Sequence, residues 1–360
     1  MPNLETASFI WKADLPYPRD IPEPKGIKRL IAHDGREDIL PFLHDVAVTC
    51  FKGGLYVAWY NSTDAEICGC SLIRGRKSAD GGAAWSEPFT IAGSLEARNK
   101  HYVPVTFFPH KGNLYAFITE MTGKNMTTGL DLYSLDDEAK GIWKRVSSVA
   151  GGFITNAPPV PLENGNFAMG AWIPMKEETP AFPVVLISRG TDIEKPWDLS
   201  FLYDPLKPGA PRVRCPEISL HAEGERVTAY VRNDEGPSYV FVSTDYAENW
   251  QRPYINPMHI GNSKIFAGRL SDGRKYLIYN EERGYFVRTM LVIAVADPES
   301  ASFSRVYKLF ENDEPEIGRG KIWFYPCAYE SEGTLYAGCT LQEASNIRSA
   351  VIAKVPVSSL

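Results

Sequence analysis

Ser78-Ala79-Asp80-Gly81-Gly82-Ala83-Ala84-Trp85 decides the fold, because Ser243-Thr244-Asp245-Tyr246-Ala247-Glu248-Asn249-Trp250 repeats its pattern, S-x-D-x-(G/A)-x-x-W. Weaker echoes end at Trp143 (after Ser134 and Asp136), at Trp197 (after Ser188 and Asp192) and at Phe303 (after Asp297). The aromatic positions 85, 143, 197, 250 and 303 step by 58, 54, 53 and 53 residues. A fixed period of that size marks stacked structural units. The turn has its own chemistry. A short Asp side chain bonds backbone N–H groups two or three residues on, Gly or Ala permits the bend, and Trp packs the turn onto a sheet.

Three strand types recur with the same period. The first begins at His44, His101, Asn156, Cys215, Ser263 and Tyr325. Hairpin turns follow, such as Lys52-Gly53-Gly54, Glu163-Asn164-Gly165 and Ser331-Glu332-Gly333. The second strand reads LYVAWYN from Leu55, LYAFITE from Leu114 and LYAGCTL from Leu335, with counterparts from Asn166, Arg226 and Lys275. The third runs through SLIRGRK, LDLYSL, VVLISRG, YVFVST, LVIAVAD and AVIAKVP. Six copies of a four-stranded antiparallel blade predict an all-β, six-bladed β-propeller occupying residues 1–360 as a single domain. The last blade runs out of chain after Val355-Pro356, so the ring needs a strand from the N-terminus; Ser8-Phe9-Ile10-Trp11 is the expected one.

Composition narrows the function. Of 360 residues, 44% are hydrophobic, enough for a large core. A net charge of -6 without a basic block gives no footprint for nucleic acid. No run of 18 apolar residues spans a membrane, and Met1-Pro2-Asn3-Leu4-Glu5 does not read as a signal peptide. The six cysteines mostly sit in apolar strand-like runs without metal spacing, which favours reduced thiols and a cytoplasmic location over secretion. No cofactor is implied. The residues leave the oligomeric state open.

In a propeller, the starts of the first strands and the ends of the second strands meet at one central depression. The starts supply His44, Asp45, His101, Asn156, Glu217, Lys264 and Tyr325; the second-strand ends supply Asn61, Glu120, Trp172, Arg232, Asn280 and Glu281, with Arg288 just ahead of a third strand. Such ionisable and aromatic groups converging on a pocket mark a binding or active site. Two guanidiniums, Arg232 and Arg288, fit a planar carboxylate. Glu217 beside Tyr325 would activate a phenol as a nucleophile. His44, Asp45 and His101 could hold a metal, although no ligand spacing demands one.

The Asp-turn boxes, the six-fold repeat and the order Glu217, Arg232, Arg288, Tyr325 resemble the sialidase (neuraminidase) superfamily of six-bladed propellers, over essentially the whole chain. The box SADGGAAW, followed by Ser86-Glu87-Pro88, is characteristic of the fold and lies far from the catalytic face. The resemblance implies a glutamate at Glu217 assisting a nucleophilic tyrosine at Tyr325, with Arg232 and Arg288 as two members of a carboxylate-binding arginine triad. At blade one the sequence departs: His44-Asp45-Val46 stands where an Arg-Ile-Pro motif is expected. The aspartate expected after the second strand of that blade has Asp64 and Glu66 as nearest counterparts.

The expectation is therefore a sialidase-like exo-acting glycoside hydrolase, removing a terminal acidic sugar from a glycan with specificity other than for sialic acid. Its catalytic residues would be Tyr325, Glu217, His44 and Asp45. Its substrate-binding residues would be Arg232, Arg288, His101, Glu120, Trp172, Asn156, Lys264 and Glu281, and its partner a carbohydrate, not nucleic acid or membrane. Two alternatives share the same face: a polysaccharide lyase acting on a uronic-acid-containing glycan, with His44 or Tyr325 as base, and a non-catalytic carbohydrate-binding propeller.

Overall fold

A computed structural model describes residues 10–11, 20–97, 99–123, 126–174, 181–281, 287–300, 302–312, 320–343 and 347–360. Six antiparallel sheets follow one another along the chain. Blade one pairs Phe42–Phe51, Gly54–Ser62, Ser71–Ser78 and Phe89–Ala92 in sequence order, and blade two pairs Lys100–His110, Asn113–Thr122, Thr127–Asp137 and Ile142–Ala150. Blades three to five repeat this order around the second strands Phe167–Ile173, Arg226–Val231 and Lys275–Asn280. Each blade is a meander, so every first strand lies innermost and every fourth strand outermost.

The last blade closes the ring differently from expectation. Its outer strand is Lys28–His33, paired antiparallel with Arg348–Pro356 through Lys28↔Lys354 and Ile31↔Val351. Ile10–Trp11 instead pairs in parallel with Ser302–Phe303; Ser8 and Phe9 lie outside the described residues. The reason is connectivity. Everywhere else a fourth strand leads directly into the first strand of the next blade, and Lys28–His33 does the same, entering Phe42–Phe51 by a short turn that Asp34 caps.

Apolar side chains fill the spaces between blades. Ala58 and Ile73 of blade one pack with Ala116 and Ile118 of blade two, and Val185 of blade three packs with Leu220 and Val231 of blade four. The seam between blades six and one adds polar contacts. His33 stacks on Trp59 at 4.5 Å and bonds Asp38 at 2.6 Å, which also receives Arg74 at 2.6 Å. Burial raises the Asp38 carboxyl, but the His33 and Leu40 N–H hydrogen bonds and the Arg74 charge bring it down to about 2.

The two strong boxes fold as the sequence implies. The Ser78 hydroxyl donates to Asp80 Oδ1 (2.7 Å) and accepts from Gly82 N (2.8 Å), while Asp80 Oδ1 receives the N–H groups of Ala83 and Ala84 at 2.9 Å each. Ser243, Asp245, Ala247 and Asn249 repeat that pattern. The echo before Trp143 uses a different carboxylate: Asp137 receives Lys140 N at 3.1 Å, whereas Asp136 pairs with Lys144.

Candidate active site

Three first strands carry the same irregularity. Pairing jumps from His44↔Tyr60 to Ala47↔Ala58, from Tyr102↔Glu120 to Val105↔Ile118, and from Phe324↔Thr340 to Cys327↔Gly338. Each is a bulge placing two residues opposite one, which bends a strand and re-aims its side chains. Asp45 and Tyr325 sit in two of these bulges with φ of 53° and 51°. A non-glycine residue held there costs on the order of 1–3 kcal/mol, and such strain concentrates at functional sites.

Tyr325 is the meeting point. Arg232, directly after the second strand of blade four, donates from one Nη1 to Glu217 Oε2 at 2.5 Å and to the Tyr325 hydroxyl at 2.8 Å. Its Nη2 lies 2.7 Å from Asp234 Oδ1. Glu217 and Tyr325 are thus joined through Arg232, without a direct hydrogen bond of the kind the sequence suggested. The other Glu217 oxygen receives Asn156 Nδ2 at 3.4 Å, and Asn156 Oδ1 receives Trp172 Nε1 at 3.2 Å. Arg288 stands 5.6 Å from the Tyr325 ring and donates to the Asn262 carbonyl at 2.8 Å. Three blades therefore bring Glu217, Arg232, Arg288 and Tyr325 into one cluster.

The electrostatics follow from burial. Removal from water pushes the Tyr325 phenol up, opposed by Arg232 and reinforced by Glu217. Burial alone would lower Arg232, but Glu217, Tyr325 and Asp234 hold it firmly charged. So Arg232 is already engaged by two carboxylates.

Blade one departs further from expectation. His44 is not a rim residue: it is 3% exposed, stacked on the Tyr325 ring at 4.4 Å, with Nδ1 3.2 Å from Thr340 Oγ1. Burial, then the charges of Arg348 and Arg288, push its pKa well below the usual histidine range. A neutral imidazole held this way supports the Tyr325 ring and is a poor proton donor near neutral pH. Asp45 is pushed up to about 7 by burial, with Lys264 Nζ opposing it from 4.0 Å.

Other expected site residues lie elsewhere. Glu120 pairs with Lys100 at 3.2 Å in a polar cleft beside Asp131 and Arg145 on blade two, away from Tyr325. His101 is buried in the first strand of blade two. Glu281, directly after the second strand of blade five, pairs through its backbone with Ile260, two residues before the Asn262 carbonyl that receives Arg288. Asn61 and Asn280 are structural: their amides satisfy the Leu40 and Met290 carbonyls. His44, Asp45 and His101 form no metal-binding group, and among the described residues no three His, Cys, Asp or Glu side chains do.

Two further groups act on the same centre: Glu66, one of the two acids expected after the second strand of blade one, and Arg348, which sequence reasoning missed. Glu66, exposed in the loop after the second strand of blade one, acts electrostatically on Asp45, Tyr60 and Tyr325. Arg348 supplies the largest charge effect on His44. The repeat held a signal for Arg348: Arg288 stands just ahead of the third strand Met290–Ala296, and Arg348 opens the third strand Arg348–Pro356 of the next blade.

Below this cluster the axis narrows to a space of about 20 Å³ among Val46, Lys264, Phe266 and Cys327. A much larger cavity, about 850 Å³, opens at the opposite mouth among the hairpin turns Glu223-Gly224 and Glu332-Gly333. It contains none of the Tyr325 cluster.

The chain matches the BNR repeat-like domain over residues 53–336. It belongs to that family. No curated protein sequence matches it. Among solved structures it is similar to Trypanosoma rangeli sialidase in complex with the inhibitor DANA, at 13% identity and a TM-score of 0.70, covering 92% of this chain and 60% of that one. The same sialidase with 2,3-difluorosialic acid, described as a covalent intermediate, gives 13% identity and 0.69 over 91% and 59%. A protein of unknown function from Dyadobacter fermentans gives 13% and 0.70 over 92% of this chain and 99% of its own. The propeller therefore spans about 60% of the length of the trypanosomal enzyme. At this identity the likeness is one of fold, and the fold is that of sialidases.

Proposed function

We propose that the protein is an exo-acting glycoside hydrolase that removes a terminal acidic sugar by way of a tyrosine nucleophile. The observation that carries this reading is the single Arg232 Nη1 shared between Glu217 and the Tyr325 hydroxyl. In this reading the Tyr325 oxygen adds to the anomeric carbon, its proton passing to Glu217 as the bound sugar draws the two within hydrogen-bond reach, and Arg232 stabilises the developing phenolate. Glu66, reaching in from its exposed loop, protonates the departing glycosidic oxygen. Water then adds to the anomeric carbon with Glu66 as base, the bond to Tyr325 breaks, and Glu217 returns its proton to the tyrosine oxygen.

Several features support it. The covalent intermediate named for the trypanosomal sialidase is consistent with a covalent route on this fold. The narrow floor beneath Tyr325 favours a chain end over a threaded polymer. The Asn156–Trp172 chain fixes the second oxygen of Glu217.

A screen of aryl glycosides carrying neutral, uronic and ulosonic sugars tests the reading. Aryl alcohol released by the wild type and lost in Glu217→Gln is the expected result. An ultraviolet-absorbing unsaturated uronide from uronate polymers would replace hydrolysis with elimination, and affinity without any product would leave only a binding propeller.

A further inference from the structure

Arg348 has no assigned part in that chemistry, yet its setting is unusual. It heads the third strand of blade six, its backbone N–H bonded to the Pro41 carbonyl at 3.0 Å and its Nε donating to Gln342 Oε1 at 2.9 Å. The guanidinium lies over Phe42 at 4.1 Å and over Phe324 at 4.8 Å. Its Nη1 is buried without a hydrogen-bond partner, and no carboxylate among the described residues forms an ion pair with it. Glu343, the nearest acid in sequence, is instead shared by Arg36 and Lys321.

A buried guanidinium N–H without an acceptor is costly, and a ligand oxygen would satisfy it. The location says which ligand. Arg288 approaches the same Phe324 ring at 5.0 Å, so two guanidiniums flank one aromatic ring. That ring precedes Tyr325 in the chain. Arg232, by contrast, has its charge matched by Glu217 and Asp234.

We infer that Arg348 is the specificity-determining cation of the site, holding a carboxylate of the terminal sugar together with Arg288 beside Phe324. The charge that the resemblance places at the start of blade one has moved to the last strand of blade six, and His44 occupies the vacated position as a ring support for Tyr325. The ligand class is a monosaccharide carboxylate, either a uronate or an ulosonate. The inference rests on the glycosidase reading only for where the sugar sits, so equilibrium binding tests it independently of turnover.

Wild type, Arg348→Gln and Arg348→Lys are titrated calorimetrically with glucuronate, with N-acetylneuraminate and with uncharged glucuronamide. The wild type should bind at least one of the two acids about tenfold or more tighter than the amide, and the preferred acid names the source of the carboxylate. Arg348→Gln should erase that preference, weakening the acid about 10- to 100-fold, while Arg348→Lys, which keeps charge but loses the planar fork, retains part of it. No preference in the wild type, or acid binding by Arg348→Gln equal to wild type, overturns the inference. If near-ultraviolet circular dichroism shows Arg348→Gln unfolded, the lysine variant decides: acid affinity equal to wild type overturns the proposal. Hydrolysis in the glycoside screen is scored separately, so an enzyme that cleaves a neutral sugar would sink this inference and leave the tyrosine chemistry standing.

Discussion

The Asp-turn boxes and the Tyr325 cluster use the same kinds of polar group to opposite ends. In the box of blade one, Asp80 is exposed and its Oδ1 is satisfied by a hydroxyl and two N–H groups from within five residues. Those contacts hold its carboxyl below the ordinary range. At the centre, the groups come from blades one, four, five and six, are buried, and include Asp45 Oδ1 and Arg348 Nη1 without hydrogen-bond partners. Two of the central residues sit at positive φ. A locally satisfied carboxylate is a folding element. A buried, incompletely satisfied cluster is poised for a ligand, because a ligand can complete it.

Four substitutions would break or sharpen that contrast. The largest effect belongs to Tyr325→Phe, expected to lower turnover by about 10³-fold or more because the nucleophile is gone. The folded circular dichroism spectrum should be kept; turnover near wild type would remove Tyr325 from the chemistry. Glu217→Gln comes next, combining a rate loss of about 10²-fold or more with a stability loss of roughly 3–5 kcal/mol, since it breaks a buried ion pair from one side. Asp234 still faces Arg232 and moderates that loss, and denaturant melts compared with turnover on one sample separate the two effects.

Asp45→Asn isolates a pH effect. The Asp45 carboxyl rises from 3.8 to about 7 on folding, so between these values the native state holds the proton more tightly than the unfolded chain. Stability from this group is complete below pH 4 and is lost as pH rises through 7, by roughly 1–4 kcal/mol. The asparagine variant should lack that decline. Parallel slopes for the two proteins in urea melts at pH 4.5, 6 and 8 would show that Lys264 already neutralises Asp45. The smallest effect is Asp80→Ala, which removes turn bonds at the periphery. It should lower the denaturation midpoint slightly, as loss of a side-chain cap does, with kcat and KM unchanged.

Much of this was legible along the chain, because hairpin turns and box residues act on near neighbours. S-x-D-x-G-x-x-W carries its own hydrogen-bond donors and acceptors, so the blade count followed from its period. The closing strand was misread because Lys28–His33 is short and charged; only its pairing with Arg348–Pro356 reveals it. His44 looked like a rim residue from its place at a strand start, yet a bulge turns it under Tyr325, and a bulge depends on register with the neighbouring strand.

Arg348 shows the division most plainly. The sequence by itself determined six blades, the ends of the strands that face the axis, and that Glu217, Arg232, Arg288 and Tyr325 share one end, since periodicity and strand alternation are local properties. Which of those charges are already neutralised, and which guanidinium remains to meet an anion, was decided only by the tertiary structure. Pairing across a propeller axis depends on distances between blades far apart in the chain: Arg232 reaches Glu217 and Asp234, Glu343 is taken by Arg36 and Lys321, and Arg348 is left facing the centre.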